Sequence, residues 1–116
     1  MFLTEQYNQS FIKTYDFAFS GATVSEALVP TTEPAGLVDL QHQIEAQFIP
    51  KYGSKSPDLA PWTSSDALFT IFIGGNDVTN SYAAQNKTLN GAIIALYSVL
   101  LGEVCSFVCR KCACLT

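Results

Sequence analysis

A short, almost wholly apolar run at residues 68–73 constrains the fold of this 116-residue chain more than any other feature. It reads Leu-Phe-Thr-Ile-Phe-Ile and lies between Asp66 and the pair Gly74-Gly75. An apolar run of this length, bounded by turn-forming residues, is typical of a strand buried on both faces. Such strands belong to sheets that helices cover on both sides, so the run predicts a layered α/β fold.

Three further segments give the order strand, helix, strand, helix. In residues 13–19 the aromatic side chains stand at positions 15, 17 and 19, and this alternation is the period of a strand. Two helices are predicted at 36–52 and 88–103, each with one apolar face. These faces are formed by Leu37, Leu40, Ile44 and Phe48 in the first helix and by Leu89, Ile93, Leu96, Tyr97 and Leu100 in the second. The alternation favours a parallel sheet.

Composition sets the outer limits. With 116 residues, 48% of them hydrophobic, the chain suffices for one small domain. Its net charge is −4 and it has no basic cluster, which argues against nucleic acid as a partner. Polar residues interrupt the apolar run 92–109, which predicts a buried helix leading into an irregular end and no membrane partner. No secretory signal is visible at residues 1–10, although N-glycosylation sequons begin at Asn8 and Asn86.

The most informative string is Gly74-Gly75-Asn76-Asp77, where the apolar run ends and a loop is predicted. Ligand sites of open α/β sheets collect beyond the carboxyl ends of strands, and an amide side chain there can donate to a developing negative charge. The same four residues are also an ordinary turn sequence. A second strand end, Ser20-Gly21-Ala22-Thr23, favours the functional interpretation, because two such ends can converge on one crevice.

These two strings, with their flanking residues, resemble blocks two and three of the GDSL-type (SGNH) hydrolases. The sequence that flanks them is similar to that of the carbohydrate-esterase branch, which includes fungal acetylesterases. The resemblance covers residues 3 to 98 and implies a three-layer α/β/α, flavodoxin-like fold, here incomplete. Residues 1–98 are accordingly interpreted as a partial SGNH hydrolase domain, an internal piece of the family's sequence.

The resemblance implies a role for each matched residue. The backbone N–H of Gly21 and the side-chain amide of Asn76 are the implied oxyanion-hole donors, and Gly74, Gly75 and Asp77 support the loop. The implied reaction is hydrolysis of a carboxylic ester by a Ser-His-Asp mechanism, with an acetylated carbohydrate as the expected substrate. No metal or organic cofactor is implied. A secreted, extracellular location is implied by the family and not by any leader in this chain.

Two parts of the catalytic machinery are missing from the sequence. No Gly-Asp-Ser block precedes residue 13, and no Asp-x-x-His block follows Asn76. The single histidine, His42, lies on the predicted first helix, turned away from the apolar face, and is expected to be a solvated surface residue. None of the serines carries a nucleophile signature. The chain alone is therefore expected to be inactive and to fold poorly.

The resemblance stops after residue 98, and residues 99–116 form a divergent tail. All four cysteines lie there: Cys105, Cys109, Cys112 and Cys114. Their spacing is too cramped for an ordinary zinc ribbon, which needs separated pairs. Residues 105–116 are expected to be poorly ordered and to bind no metal tightly. Two alternatives stay open: a non-catalytic remnant or carbohydrate-binding protein of the same fold, and a small metal-binding protein built on the tail.

Overall fold

The computed structural model describes residues 12–31, 38–53 and 62–110, and within these ranges the regular structure is helical. The first helix, α1, is continuous through three segments, Leu40–His42, Gln43–Phe48 and Ile49–Tyr52. The short helix α2 spans Gly75–Ser81 and passes into a 3₁₀ turn at Tyr82–Ala84. The long helix α3 spans Lys87–Arg110.

Helix α1 begins later than its apolar pattern predicts, at Leu40 and not at residue 36. Asp39 is the N-cap of the helix. Its carboxylate accepts the backbone N–H of His42 at 2.8 Å. A side-chain oxygen in this position satisfies one of the N–H groups that a helix start leaves without a partner. Residues 36 and 37 lie outside the described ranges, so the contribution of Leu37 to the apolar face stays a prediction.

The middle of α1 is π-helical, and Pro50 supplies the reason. Proline has no N–H, and its ring collides with the carbonyl four residues earlier in a regular α-helix, here that of Ala46. The backbone widens before it, so that the N–H of Ile49 bonds to the carbonyl of Ile44, five residues back. The helix thereby continues past the proline to Tyr52.

The predicted apolar face of helix α3 is confirmed. The prediction that the whole helix is buried is wrong, because only one side of it packs on the core. Leu100 is fully buried, and Ile93, Leu96 and Tyr97 pack against the core. The opposite side is open, with Ile94 66% exposed. The helix also crosses the predicted boundary at residues 98 and 99 and runs to Arg110, so 99–110 are helical and not irregular. Residues 111–116 lie outside the described ranges.

By length and composition α3 could also cross a membrane. The stretch Lys87–Val108 has a mean hydropathy of 1.9, and 11% of it is buried in the protein. Core helices of soluble proteins pass the same test, and here one side of the helix packs on protein. The absence of a membrane partner therefore stays a prediction.

Neither predicted strand is formed in the described part of the chain. Residues 12–19 and 67–74 are irregular there. The segment 68–73 keeps the alternation of a strand, since Phe69, Ile71 and Ile73 pack inward while Leu68 and Phe72 are 90% and 104% exposed. It is thus covered on one face and not on two. A strand needs a neighbour for its N–H and C=O groups, and these ranges supply none.

One small core joins the elements. It consists of Val24, Leu40, Ile44, Leu100 and Val104, so the loop after Gly21 packs between α1 and α3. Each such side chain contributes about 1.5–3 kcal/mol when fully buried. A second cluster continues along α1, where Phe48 contacts the rings of Phe17, Tyr52, Trp62 and Phe69 at centroid distances of 5.7–6.3 Å.

Candidate active site

The structure brings the two family-like strings together across more than fifty residues. The side-chain amide of Asn76 donates from Nδ2 to the carbonyl oxygen of Ala22 at 2.9 Å. Ala22 follows Gly21 directly, so the amide and the turn at Gly21 lie at one place in the fold. An amide nitrogen carries two hydrogens, and this bond uses one of them.

Asp77 makes the second connection between the two strings. Both of its carboxylate oxygens accept the backbone N–H of Val24, at 3.0 and 3.1 Å. The residue is 3% exposed, so the bond is shielded from water. A hydrogen bond to a charged group is among the stronger kinds in proteins. Asp77 therefore ties the start of α2 to the loop that follows Gly21.

The loop at residues 21–29 is held from the other side by α1. The N–H groups of Leu40 and Gln41 donate to the carbonyls of Thr23 and Val24, at 3.0 and 3.2 Å. Thr23 is fully buried, and its hydroxyl donates to the carbonyl of Val29 at 3.1 Å. The first turn of a helix has N–H groups to spare, which is why it can bind these carbonyls.

Asp39 is a supporting residue that the sequence interpretation missed. Besides capping α1, its carboxylate accepts the backbone N–H of Glu26 at 2.9 Å. One side chain thus joins the loop and the helix. The signal was present in the sequence, because an Asp directly before an apolar helical pattern is a typical cap. The apolar pattern instead placed Asp39 inside the helix.

Two glycines shape the backbone on either side of the contact. Gly21 has a φ of 84° and Gly74 a φ of 105°, in the left-handed region that glycine tolerates best. Gly74 precedes the first residue of α2. The string Gly75-Asn76-Asp77 is therefore the first turn of a helix and not the predicted loop. The N–H of Gly21 makes no hydrogen bond within the described ranges.

Three other titratable or nucleophilic side chains, those of His42, Ser25 and Cys105, make no hydrogen bond to Gly21, Asn76 or Asp77 within the described residues. His42 is exposed on α1, beside a shallow cavity of about 210 Å³ that Asp39 and Glu45 also line. Ser25 is buried, and its hydroxyl bonds to the side chain of Gln41, not to a histidine. Cys105 is an exposed free thiol.

No cluster of metal-binding side chains is present in the part of the chain that the structure describes. The side chain of Cys109, and Cys112 and Cys114 entirely, lie outside that part. The prediction that the tail binds no metal tightly is therefore neither supported nor opposed.

Comparison with known proteins places the chain in a family. The model of the GDSL-like lipase/acylhydrolase family matches residues 2–107, and the chain belongs to this family. An acetylesterase of Thermothelomyces thermophilus is 40% identical over 85 residues, which are 73% of this chain and 27% of that protein. No solved structure gives a significant match. The resemblance to GDSL-type acetylesterases is thereby confirmed.

Membership in this family also implies an α/β fold. The described residues contain helices and no strand, so the three-layer arrangement itself stays a prediction. The chain spans about a quarter of the length of the acetylesterase that it matches.

Proposed function

We propose that this chain supplies the oxyanion-binding part of a GDSL-type esterase that hydrolyses acetyl esters. The observation that carries the proposal is the hydrogen bond from Asn76 Nδ2 to the carbonyl of Ala22. It holds the Asn76 amide beside Gly21, whose N–H makes no bond within the described ranges. Two donors at one place are what a negatively charged oxygen requires.

The proposed reaction follows the serine-hydrolase sequence. A serine hydroxyl attacks the ester carbonyl, a histidine takes the hydroxyl proton, and the carbonyl oxygen becomes an oxyanion. The N–H of Gly21 and the second N–H of the Asn76 amide donate to that oxyanion. Preorganised donors of this kind contribute about 10²–10³ each to turnover. Asp77 holds the loop after Gly21 against the start of α2, and Asp39 holds the same loop against α1; neither touches the substrate in this proposal.

The serine and the histidine of this reaction are not supplied by the chain. Its single histidine, His42, is exposed on α1, and Ser25 bonds to Gln41. We therefore propose that residues 1–116 alone do not hydrolyse esters and are only weakly stable. Each buried backbone group left without a partner costs about 1–3 kcal/mol. A whole domain is stable by only about 5–15 kcal/mol, so a few such groups decide the outcome.

We propose the finer substrate class and the location from the family resemblance described above. An acetylated carbohydrate is the proposed substrate, and a secreted, extracellular location is proposed for the protein. No metal or organic cofactor takes part in the proposed reaction. The similarity to an acetylesterase, of which the chain matches 27%, supports only the acetyl-ester part of these proposals.

The test is to complete the domain. Residues 2–107, the span of the family match, replace the corresponding segment of the Thermothelomyces acetylesterase, and the graft and the isolated chain are assayed with an aryl acetate. We expect turnover from the graft that a serine-directed phosphonate blocks, and none from the isolated chain above a heat-killed control. A folded but inactive graft would favour the non-catalytic alternative. Turnover by the isolated chain would show that one of its own serines is the nucleophile.

A further inference from the structure

Asn86 combines a sequence motif with a defined structural position at the start of α3. Its side-chain oxygen accepts the backbone N–H groups of Thr88 and Leu89, at 3.0 and 3.2 Å. The backbone carbonyl of Asn86 accepts the backbone N–H of Asn90 at 3.0 Å. Asn86 is therefore the N-cap of the helix, and its oxygen does the capping. It is also the first residue of the sequon Asn86-Lys87-Thr88.

The side-chain nitrogen of Asn86, unlike its side-chain oxygen, takes no part in capping the helix. It donates no hydrogen bond within the described residues, and every residue from 82 to 88 is exposed. Gln85, with a φ of 42°, separates the 3₁₀ turn from α3, so Asn86 lies at a corner between two elements. The oxygen faces the helix start, and the nitrogen remains available to an enzyme approaching from solvent.

We propose that Asn86 is an N-glycosylation site. In the reaction, Nδ2 forms a bond to C1 of an oligosaccharide while the bond from C1 to a lipid pyrophosphate donor breaks. The nitrogen gives one proton to the base of the transferase, and the lipid pyrophosphate leaves. The inference rests on the proposed secreted location, because N-glycosylation takes place in the secretory pathway.

The cap geometry makes the modification compatible with the fold. Glycosylation replaces one hydrogen on Nδ2 and leaves the side-chain oxygen as an acceptor, so the bonds to Thr88 and Leu89 persist. A cap is worth about 0.5–2 kcal/mol of helix stability, which the modified residue keeps. An asparagine capping through the same oxygen but buried on its nitrogen side would not allow this.

The experiment expresses the full chain behind a cleavable secretory leader in a eukaryotic host. The Asn8→Gln background removes the other sequon. Only chains with a cleaved leader are scored, by mass spectrometry and by digestion with an endoglycosidase. We expect a glycan on Asn86, its loss in Thr88→Ala and its return in Thr88→Ser. Thr88→Ala keeps the backbone N–H that binds the cap, so loss of the glycan there does not reflect loss of the helix start.

The matched control is Asn90, an exposed asparagine of the same helix outside any sequon, which should carry no glycan. Leader-cleaved chains without a glycan on Asn86 would overturn the proposal. A glycan that survives Thr88→Ala would overturn it as well. The natural location of the protein is measured separately, by fractionating its source, so a failed proposal of secretion is distinguishable from a failed glycosylation site.

Discussion

The carboxylate of Asp77 accepts the backbone N–H of Val24 through both oxygens, at 3.0 and 3.1 Å, across 53 residues of sequence. The neighbouring amide of Asn76 bonds to Ala22 in the same place. Two adjacent side chains at the start of α2 thus hold two positions of one loop. If the site depends on this arrangement, removing the Asp77 carboxylate should loosen the loop next to Gly21.

We expect Asp77→Ala, made in the grafted esterase, to lower the free energy of unfolding by about 1–3 kcal/mol, because it leaves the buried N–H of Val24 without a partner. Asp77→Asn keeps one acceptor oxygen and should lose less. Urea titration measures both. The control Glu45→Ala removes an exposed carboxylate on α1 and should stay within about 0.5 kcal/mol of the parent. Equal losses at positions 77 and 45 would contradict the assigned role of Asp77.

Gly74 and Gly91 form a matched pair for testing backbone strain. A Cβ added at either position meets nothing within 4 Å. A clash with neighbouring atoms therefore cannot account for a difference in stability between the two alanine variants. Gly74 has a φ of 105°, where a residue with a Cβ is strained by about 1–3 kcal/mol. Gly91 lies inside α3, where alanine is favoured over glycine by about 0.5–1 kcal/mol.

In the grafted esterase Gly74→Ala should therefore lower the thermal midpoint, and Gly91→Ala should raise it. Differential scanning calorimetry on the two variants gives the comparison. A Gly74→Ala variant as stable as its parent would mean that this residue does not need the left-handed backbone conformation.

The outward side chains of the segment 68–73 should govern the solubility of the isolated chain. Leu68 and Phe72 are almost fully exposed, and exposed apolar side chains on the same face of a segment favour association. The double variant Leu68→Thr/Phe72→Thr should increase the monomer fraction in sedimentation velocity. The control Phe69→Thr/Ile71→Thr changes the inward face, which packs on the core, and should lower stability instead. The same behaviour from both pairs would contradict the inward and outward assignment.

Several helical features were predictable from the sequence because they depend on local spacing. The apolar positions Leu40, Ile44 and Leu100 lie in the core as their periodicity indicates. His42 is exposed, as its place on α1 predicts. The π-helical segment before Pro50 was not foreseen, because its cause is a clash within the helix and not a pattern of hydrophobicity.

The strands could not be settled by the same reasoning. An alternating segment becomes a strand only when another segment accepts and donates its backbone hydrogen bonds, and the described residues hold no such partner for 68–73. The sheet of the predicted three-layer fold forms only if each strand has a neighbouring strand. Helices α1 and α3 instead depend mainly on the spacing of apolar residues along their own sequences. The contact between Asn76 and Ala22 was likewise beyond local rules, and the expectation that the two strings approach each other came from their places at predicted strand ends and from the family resemblance.

The most direct test of the central claim is the turnover of the grafted esterase with Asn76→Ala. We expect kcat for an aryl acetate to fall by about 10²–10³, as for loss of one oxyanion donor, with KM changed much less. The control Asn80→Ala removes an exposed amide from the same short helix and should leave kcat unchanged. An Asn76→Ala enzyme that folds like its parent and keeps its kcat would contradict the assignment of Asn76 to the oxyanion hole.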